Sequence, residues 1–184
     1  MALTSLRRRA TTTVSALALA AAALVLPGAG TAHASVDLVT CPLGTETISY
    51  SPGLKYPSTP APNVSLSATG TVGPCVSLDL NHTAGAVTFN GSGPLNCLGG
   101  NSSGTGKIDW VNAGTTDSKF NFTGGVSLRP NGITVLVLTG QVTSGDYAGK
   151  TVINTITLLS TDITACLSPT GLTSSAGPIT ITIL

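Results

Sequence analysis

The sequence predicts an all-β protein: an antiparallel meander of about eight strands, closed into a barrel or folded into a two-layer sandwich. Three observations carry this. Apolar residues recur with period two along most of the chain, as in Val64-Ser65-Leu66-Ser67-Ala68 and Ile179-Thr180-Ile181-Thr182-Ile183. Glycine is abundant at 22 residues and proline numbers 11, so turn-formers are spread throughout. Charged residues make up only 8%, too few for the Glu- and Lys-rich faces of a helical bundle. The polar partners in the alternation are mostly threonine and serine, and β-branched threonine suits a pleated surface.

The chain begins with a different pattern. Arg7, Arg8 and Arg9 precede an uncharged stretch to Leu26, mostly Ala, Leu and Val from Val14 onward. Pro27, Gly28 and Gly30 break the run, and Ala32-His33-Ala34 fits the small-x-small pattern of signal cleavage. The expected processing removes residues 1–34 and leaves 35–184 as a single disulfide-stapled β domain, secreted and extracellular. The stretch is short for a membrane-spanning helix, which needs about 20 apolar residues. Ala10, Thr11 and Thr12 after the arginines favour the general secretory route over a twin-arginine signal. Thr40 before Cys41 and the charge of Asp37 argue against a lipoprotein anchor.

Eight strands are expected over about 45–51, 63–73, 84–92, 105–112, 117–128, 132–144, 149–160 and 176–184. Pro52, Pro57, Pro60 and Pro62 give the first connection an extended, non-helical course. The second and third strands are separated by a loop carrying Asp79-Leu80-Asn81-His82. Asn112-Ala113-Gly114 turns the fourth strand into the fifth, Pro130-Asn131-Gly132 the fifth into the sixth, and Ser144-Gly145-Asp146 with Gly149 the sixth into the seventh. Gly-Pro recurs at 73–74, 93–94 and 177–178 and is read as punctuation of strand ends. The sixth strand is apolar on both faces over several residues, so a central place is expected for it. The last strand has no charge to blunt an edge and needs a partner, for which strand one is the natural candidate. That closure favours a barrel. An immunoglobulin-like sandwich is the alternative, with Trp110 between Cys97 and Cys166 only partly matching its pattern.

Cys41, Cys75, Cys97 and Cys166 all lie in the exported part. An even count in an oxidising compartment predicts disulfides, and four cysteines allow three pairings. In a meander, alternate connections lie at opposite ends. Cys41 precedes strand one and Cys75 follows strand two; Cys97 follows strand three and Cys166 follows strand seven. Strand parity therefore predicts Cys41–Cys75 and Cys97–Cys166. No C-x-x-C pair is present for zinc.

The chemical inventory is thin. Residues 35–184 hold five basic and seven acidic residues and one histidine, His82. Too few basic residues are present to line nucleic acid. Gly100-Asn101-Ser102-Ser103-Gly104 matches the G-x-S-x-G motif but lies in a Gly/Ser/Asn loop with no helix to follow, which the nucleophile elbow requires. Asp109 and Asp117 could approach across a hairpin, but strand acids, the single glutamate Glu46 among them, are read as solubilising. No calcium loop or phosphate-binding loop occurs. No catalytic, cofactor or metal residue is therefore assigned. Exposed aromatics are the best ligand contacts: Tyr56 in the proline-rich loop and Tyr147 in a turn, with Tyr50 also a candidate and Trp110 expected in the core. Sequons at Asn63, Asn81, Asn90, Asn101 and Asn121 would matter only in a eukaryotic host.

The run 41–54 (CPLGTETISYSPGL), Gly106-Lys107-Ile108-Asp109-Trp110, the stretch 140–149 (GQVTSGDYAG) and the ending around Cys166 resemble a family of small secreted proteins from streptomycetes and related actinobacteria. The resemblance implies bacterial export and assigns no activity. The expected function is thus a secreted, non-enzymatic β module that binds a protein, a glycan or a small ligand, with no nucleic acid and no membrane partner after signal cleavage. A small secreted enzyme with a barrel cavity whose polar cluster includes His82 or Asp109, and an inhibitor of secreted proteases presenting loop 52–62, are the alternatives.

Overall fold

The computed structural model describes residues 38–56, 62–112, 114–125, 134–158 and 163–184. The expected signal over 1–34 and the turn at 130–132 lie outside them, as does part of loop 52–62.

Eight strands form a closed antiparallel barrel: β2 (Gly44–Leu54), β3 (Asn63–Val72), β5 (Gly85–Asn96), β7 (Ser103–Trp110), β8 (Ser118–Thr123), β9 (Thr134–Ser144), β10 (Thr151–Leu158) and β11 (Leu172–Ile183). Each pairs with the next, and β11 closes the ring by pairing with β10 through Ile179–Ile183 and with β2 through Leu172–Pro178. Short β1 (Val39–Cys41) continues the line of β2 along the end of β11, and β4 (Val76–Ser77) pairs with β1. Two-residue β6 (Gly99–Gly100) folds back on β5, and the one-turn helix α1 (Ile163–Leu167) precedes β11. The immunoglobulin-like sandwich is excluded, and the last strand meets the first, as its uncharged edge required.

Alternation sets which face is which. In β2 and β3, Ile48, Tyr50, Val64, Leu66 and Ala68 point inward and are buried, whereas Thr45, Thr47, Ser49, Ser65, Ser67 and Thr69 point outward and are exposed. This is the reverse of a lipid-facing barrel, whose outward band is apolar. Inside, Phe89 stands edge-on to Phe120 and Phe122, with ring centroids 5.5 and 6.0 Å apart. The Phe120 ring occupies the space where a side chain at Gly106 would stand. Each such apolar side chain contributes about 1.5–3 kcal/mol by leaving water.

Several strands run further than the sequence reading had them. Pro52 lies within β2, Gly93-Pro94 within β5 and Gly177-Pro178 within β11. These Gly-Pro pairs are not strand ends. A Cβ at Gly93 would collide with the Asn101 carbonyl and one at Gly177 with the Thr157 carbonyl. Glycine there lets neighbouring strands close on one another, which is how a small barrel achieves its curvature. The expected strand 117–128 stops at Thr123, and β10 starts at Thr151 because Tyr147, Gly145 and Gly149 turn with positive φ.

The two ends of the barrel differ. At one end stand the starts of β2, β5, β8 and β10, with the disulfide Cys41–Cys75; at the other, their ends, with Cys97–Cys166. The same two pairs follow from strand parity, because each bridge joins cysteines on a single end. The first end is filled by Val39, Ile108, Trp110, Ile181 and Ile183, all buried. The second is not filled by described residues.

Candidate functional site

A cavity of about 70 Å³ opens at the Cys97–Cys166 end and runs into the barrel. Its mouth is framed by Leu95, Asn96, Ser102, Leu158 and Leu172, and its walls by Ile48, Leu66, Phe89, Leu138 and Ile156. An eight-stranded barrel is wide enough either to be packed solid or to hold one small ligand. This barrel is packed at one end and has a cavity towards the other.

Glu46, near the closed end of β2, also lines the cavity. It is 3% exposed, and neither carboxylate oxygen has a hydrogen-bond partner. Burial pushes its pKa from 4.5 up to about 7, and no neighbouring cation opposes the shift. The reading of Glu46 as a solubilising surface acid is therefore wrong. The alternation of β2 explains why: Glu46, Ile48 and Tyr50 share the inward face. Its register partners on both sides are glycines, Gly70 on β3 and Gly177 on β11. An added Cβ at Gly70 would collide with the Thr45 carbonyl and one at Gly177 with the Thr157 carbonyl, so the backbones close tightly beside Glu46. Tyr50, four residues on, lines the same cavity and bonds Ser175 Oγ at 2.8 Å. Burial raises its phenol pKa, the Ser175 bond opposes this, and the Glu46 charge adds to it. Asn154, on the inward face of β10, is a second buried side chain whose amide has no partner.

The other polar cluster lies at the closed end. His82 is 5% exposed. Its Nδ1 is 2.7 Å from both Asp79 Oδ2 and the Tyr147 hydroxyl, and its Nε2 is 2.9 Å from Asp146 Oδ2. Trp110 stands edge-on to the ring at 4.8 Å and donates from Nε1 to Ser118 Oγ, which donates to the Asp146 carbonyl. The Ser77 hydroxyl and the Asn81 N–H donate to Asp79, and the Thr116 hydroxyl and N–H donate to Asp146. For both acids burial works against ionisation, but the donated hydrogen bonds outweigh it and lower the pKa. The Tyr147 hydroxyl beside His82 and the Ser77 hydroxyl of its loop are both hydrogen-bonded within the cluster. The arrangement fastens the 77–84 loop and the 144–149 turn over the filled end of the barrel.

The residues expected from sequence fall as follows. Tyr147 is part of this closed cluster, half-buried, its pKa raised by burial and by Asp79 and Asp146. Its hydroxyl is engaged by Asp79 and His82. Tyr56 is 54% exposed at the other end, its N–H donating to the Cys166 carbonyl. Asp109 and Asp117 do converge, but on Lys107, at 2.6 and 3.6 Å, in solvent. Ser102 of the G-x-S-x-G match is buried at the cavity mouth, yet strand β7 follows it, so the elbow is absent. Among the described residues no group of three or more His, Cys, Asp or Glu could hold a metal ion. Glu46 was missed as a site residue, though its place in the alternation with Ile48 and Tyr50 was a usable signal.

Comparison with protein-family models, with curated proteins and with solved structures finds no match for this chain.

Proposed function

We propose that the protein is a secreted binding module that takes a small, largely apolar ligand into the open end of its barrel. The observation that carries this reading is the cavity itself: apolar walls leading to one unpartnered carboxyl. Sites for small molecules have this make-up, an apolar lining with a few placed polar groups. A small ligand fits these features better than a protein or a glycan, because the polar group is at the floor and not on the surface. The two disulfides suit an oxidising compartment, and the outward faces of β2 and β3 are mostly Thr and Ser. The test is binding of small apolar probes, followed by methyl NMR shifts of Leu66, Leu138 and Ile156. Ala68→Leu, which places extra carbons in the cavity wall, should abolish binding while the protein stays folded. Unchanged binding in this variant would place the ligand elsewhere.

The runner-up is a small enzyme using Glu46 as general acid and base, favoured by the carboxyl's pKa near neutrality. Turnover that Glu46→Gln abolishes, with binding retained, would establish it over the binding module.

A further inference from the structure

We infer that the ligand of this cavity is a small aliphatic amine, its ammonium group against the Glu46 carboxylate and its carbon chain along Ile48, Leu66 and Leu138. The inference rests on the cavity reading above and adds the chemical class.

Three features lead to it. Glu46 is the lone acid of the lining and is without a hydrogen bond. A buried carboxylate requires a donor or a cation, and none is supplied among the described residues: the lysines there are Lys55, Lys107, Lys119 and Lys150, and none contributes to the state of Glu46. The partner must therefore come from the ligand. Space for it is the cavity that Glu46 lines, while the flanking Gly70 and Gly177 sit against backbone carbonyls. An ammonium is compact and donates in three directions, which suits a lone carboxylate in an apolar cavity. The rest of the ligand must be apolar, since the walls are. With about 70 Å³ the cavity holds a short chain. A longer one would leave through the mouth, where Tyr56, Leu98 and Leu167 stand exposed on the segments joined at the Cys97–Cys166 bridge.

A neutral apolar molecule would satisfy the walls but not the acid, and a carboxylate ligand would meet a like charge. The order of affinity should therefore be amine, then alcohol, then acid. Binding of the ammonium also needs Glu46 ionised. With a pKa of about 7, only about 3% of the protein is competent at pH 5.5, so affinity should weaken roughly 30-fold from pH 8.5 to 5.5.

The experiment titrates the 35–184 protein with n-butylamine, 1-butanol and butyrate, read by methyl NMR shifts of the cavity leucines and isoleucines at pH 5.5, 7 and 8.5. Butylamine should bind at least tenfold more tightly than butanol at pH 8.5 and lose that advantage at pH 5.5. Glu46→Gln should bind the amine and the alcohol alike at every pH. If alcohol and amine bind equally to the unaltered protein at pH 8.5, the amine assignment is overturned and the apolar cavity stands. If none of the three moves the cavity methyls, the space holds only water, and both the assignment and the binding reading fall. Urea denaturation of Glu46→Gln confirms that it is folded before its binding is compared.

Discussion

Glu46→Gln should make the stability of this protein less dependent on pH, in a calculable direction. The folded-state pKa of about 7 lies above the unfolded value of 4.5, so the folded protein holds this proton more tightly. Below pH 4.5 both states are protonated and the group has no effect on the balance. Between pH 4.5 and 7 the unfolded chain gives up the proton first, and folding grows less favourable as pH rises. Above about pH 8 the full difference is expressed, about 3 kcal/mol at 1.36 kcal/mol per pH unit. For a domain of this size that is about 6–12 °C in Tm. Gln cannot titrate, so the stability difference between variant and parent should grow by about 3 kcal/mol from pH 4.5 to 8.5. Using the difference cancels the contributions of Asp79 and Asp146, which both proteins share. Urea denaturation at four pH values measures it. A second readout is direct: Glu46 is the one glutamate of the chain, so Glu-selective ¹³C labelling yields a single carboxyl resonance, expected to titrate near 7. Parallel stability curves, or a carboxyl titrating near 4.5, would refute the burial argument and with it the basis for a ligand that meets this acid.

Four further outcomes are expected. His82→Ala should cost about 2–4 kcal/mol by urea denaturation, through lost contacts with Trp110 and the unsatisfied partners left on Asp79, Asp146 and Tyr147, and should change Trp110 fluorescence while leaving probe binding intact. The lowered pKa of Asp79 and of Asp146 makes their contribution complete above their unfolded value of 3.8 and lost as pH falls below it, so acid unfolding should move to higher pH in Asp79→Asn. Replacing Cys97 and Cys166 by serine opens a 69-residue loop and should cost about 4 kcal/mol, and peptide mapping without reduction should yield no Cys75–Cys97 peptide. Gly106→Val should cost several kcal/mol or prevent folding, because the Phe120 ring fills that space; a variant as stable as the parent in thermal melts would show that the ring can move aside.

What could be read from the sequence was whatever depends on period and parity. The inward sets of β2, β3, β8 and β11 follow from strict alternation, and barrel closure followed from the bare edge of Ile179–Leu184. Alternation failed only where residue type overrode position. Glu46 obeyed the period and faced inward, but its charge suggested solvent. Asn154 stands likewise among Val152 and Ile156 on the inward face of β10. Gly73-Pro74 does end a strand, but the pairs at 93–94 and 177–178 were misplaced because glycine serves both turns and tight strand crossings, and only the positions of neighbouring carbonyls tell these apart. The His82 cluster draws on residues up to 68 positions apart, brought together by two connections at one end of the barrel. No local pattern announces such a meeting. The cavity was not legible either, since a void is the difference between the side chains present and the volume available.

The division between the ends accounts for how the chain tolerates Glu46. An unpartnered buried carboxyl weakens folding at neutral pH by about as much as one disulfide strengthens it. The closed end can offset that, for it combines a bridge, a packed core under β1 and the clamp centred on His82, and none of these lines the cavity. Filling the space with leucine and replacing Glu46 by an apolar residue would give a more stable barrel with the same strands. The sequence instead sets glycine on both sides of the acid and alanine on the wall above, at 70, 177 and 68. Alanine keeps the wall small, and the two glycines let the backbones close beside the acid. A molecule that brings its own positive charge would recover the lost stability on binding, so ligand occupancy should raise Tm most at the pH where empty protein is weakened most. That coupling ties the stability measurement to the binding measurement: the pH range over which Glu46 destabilises the empty barrel is the range over which an amine should stabilise it.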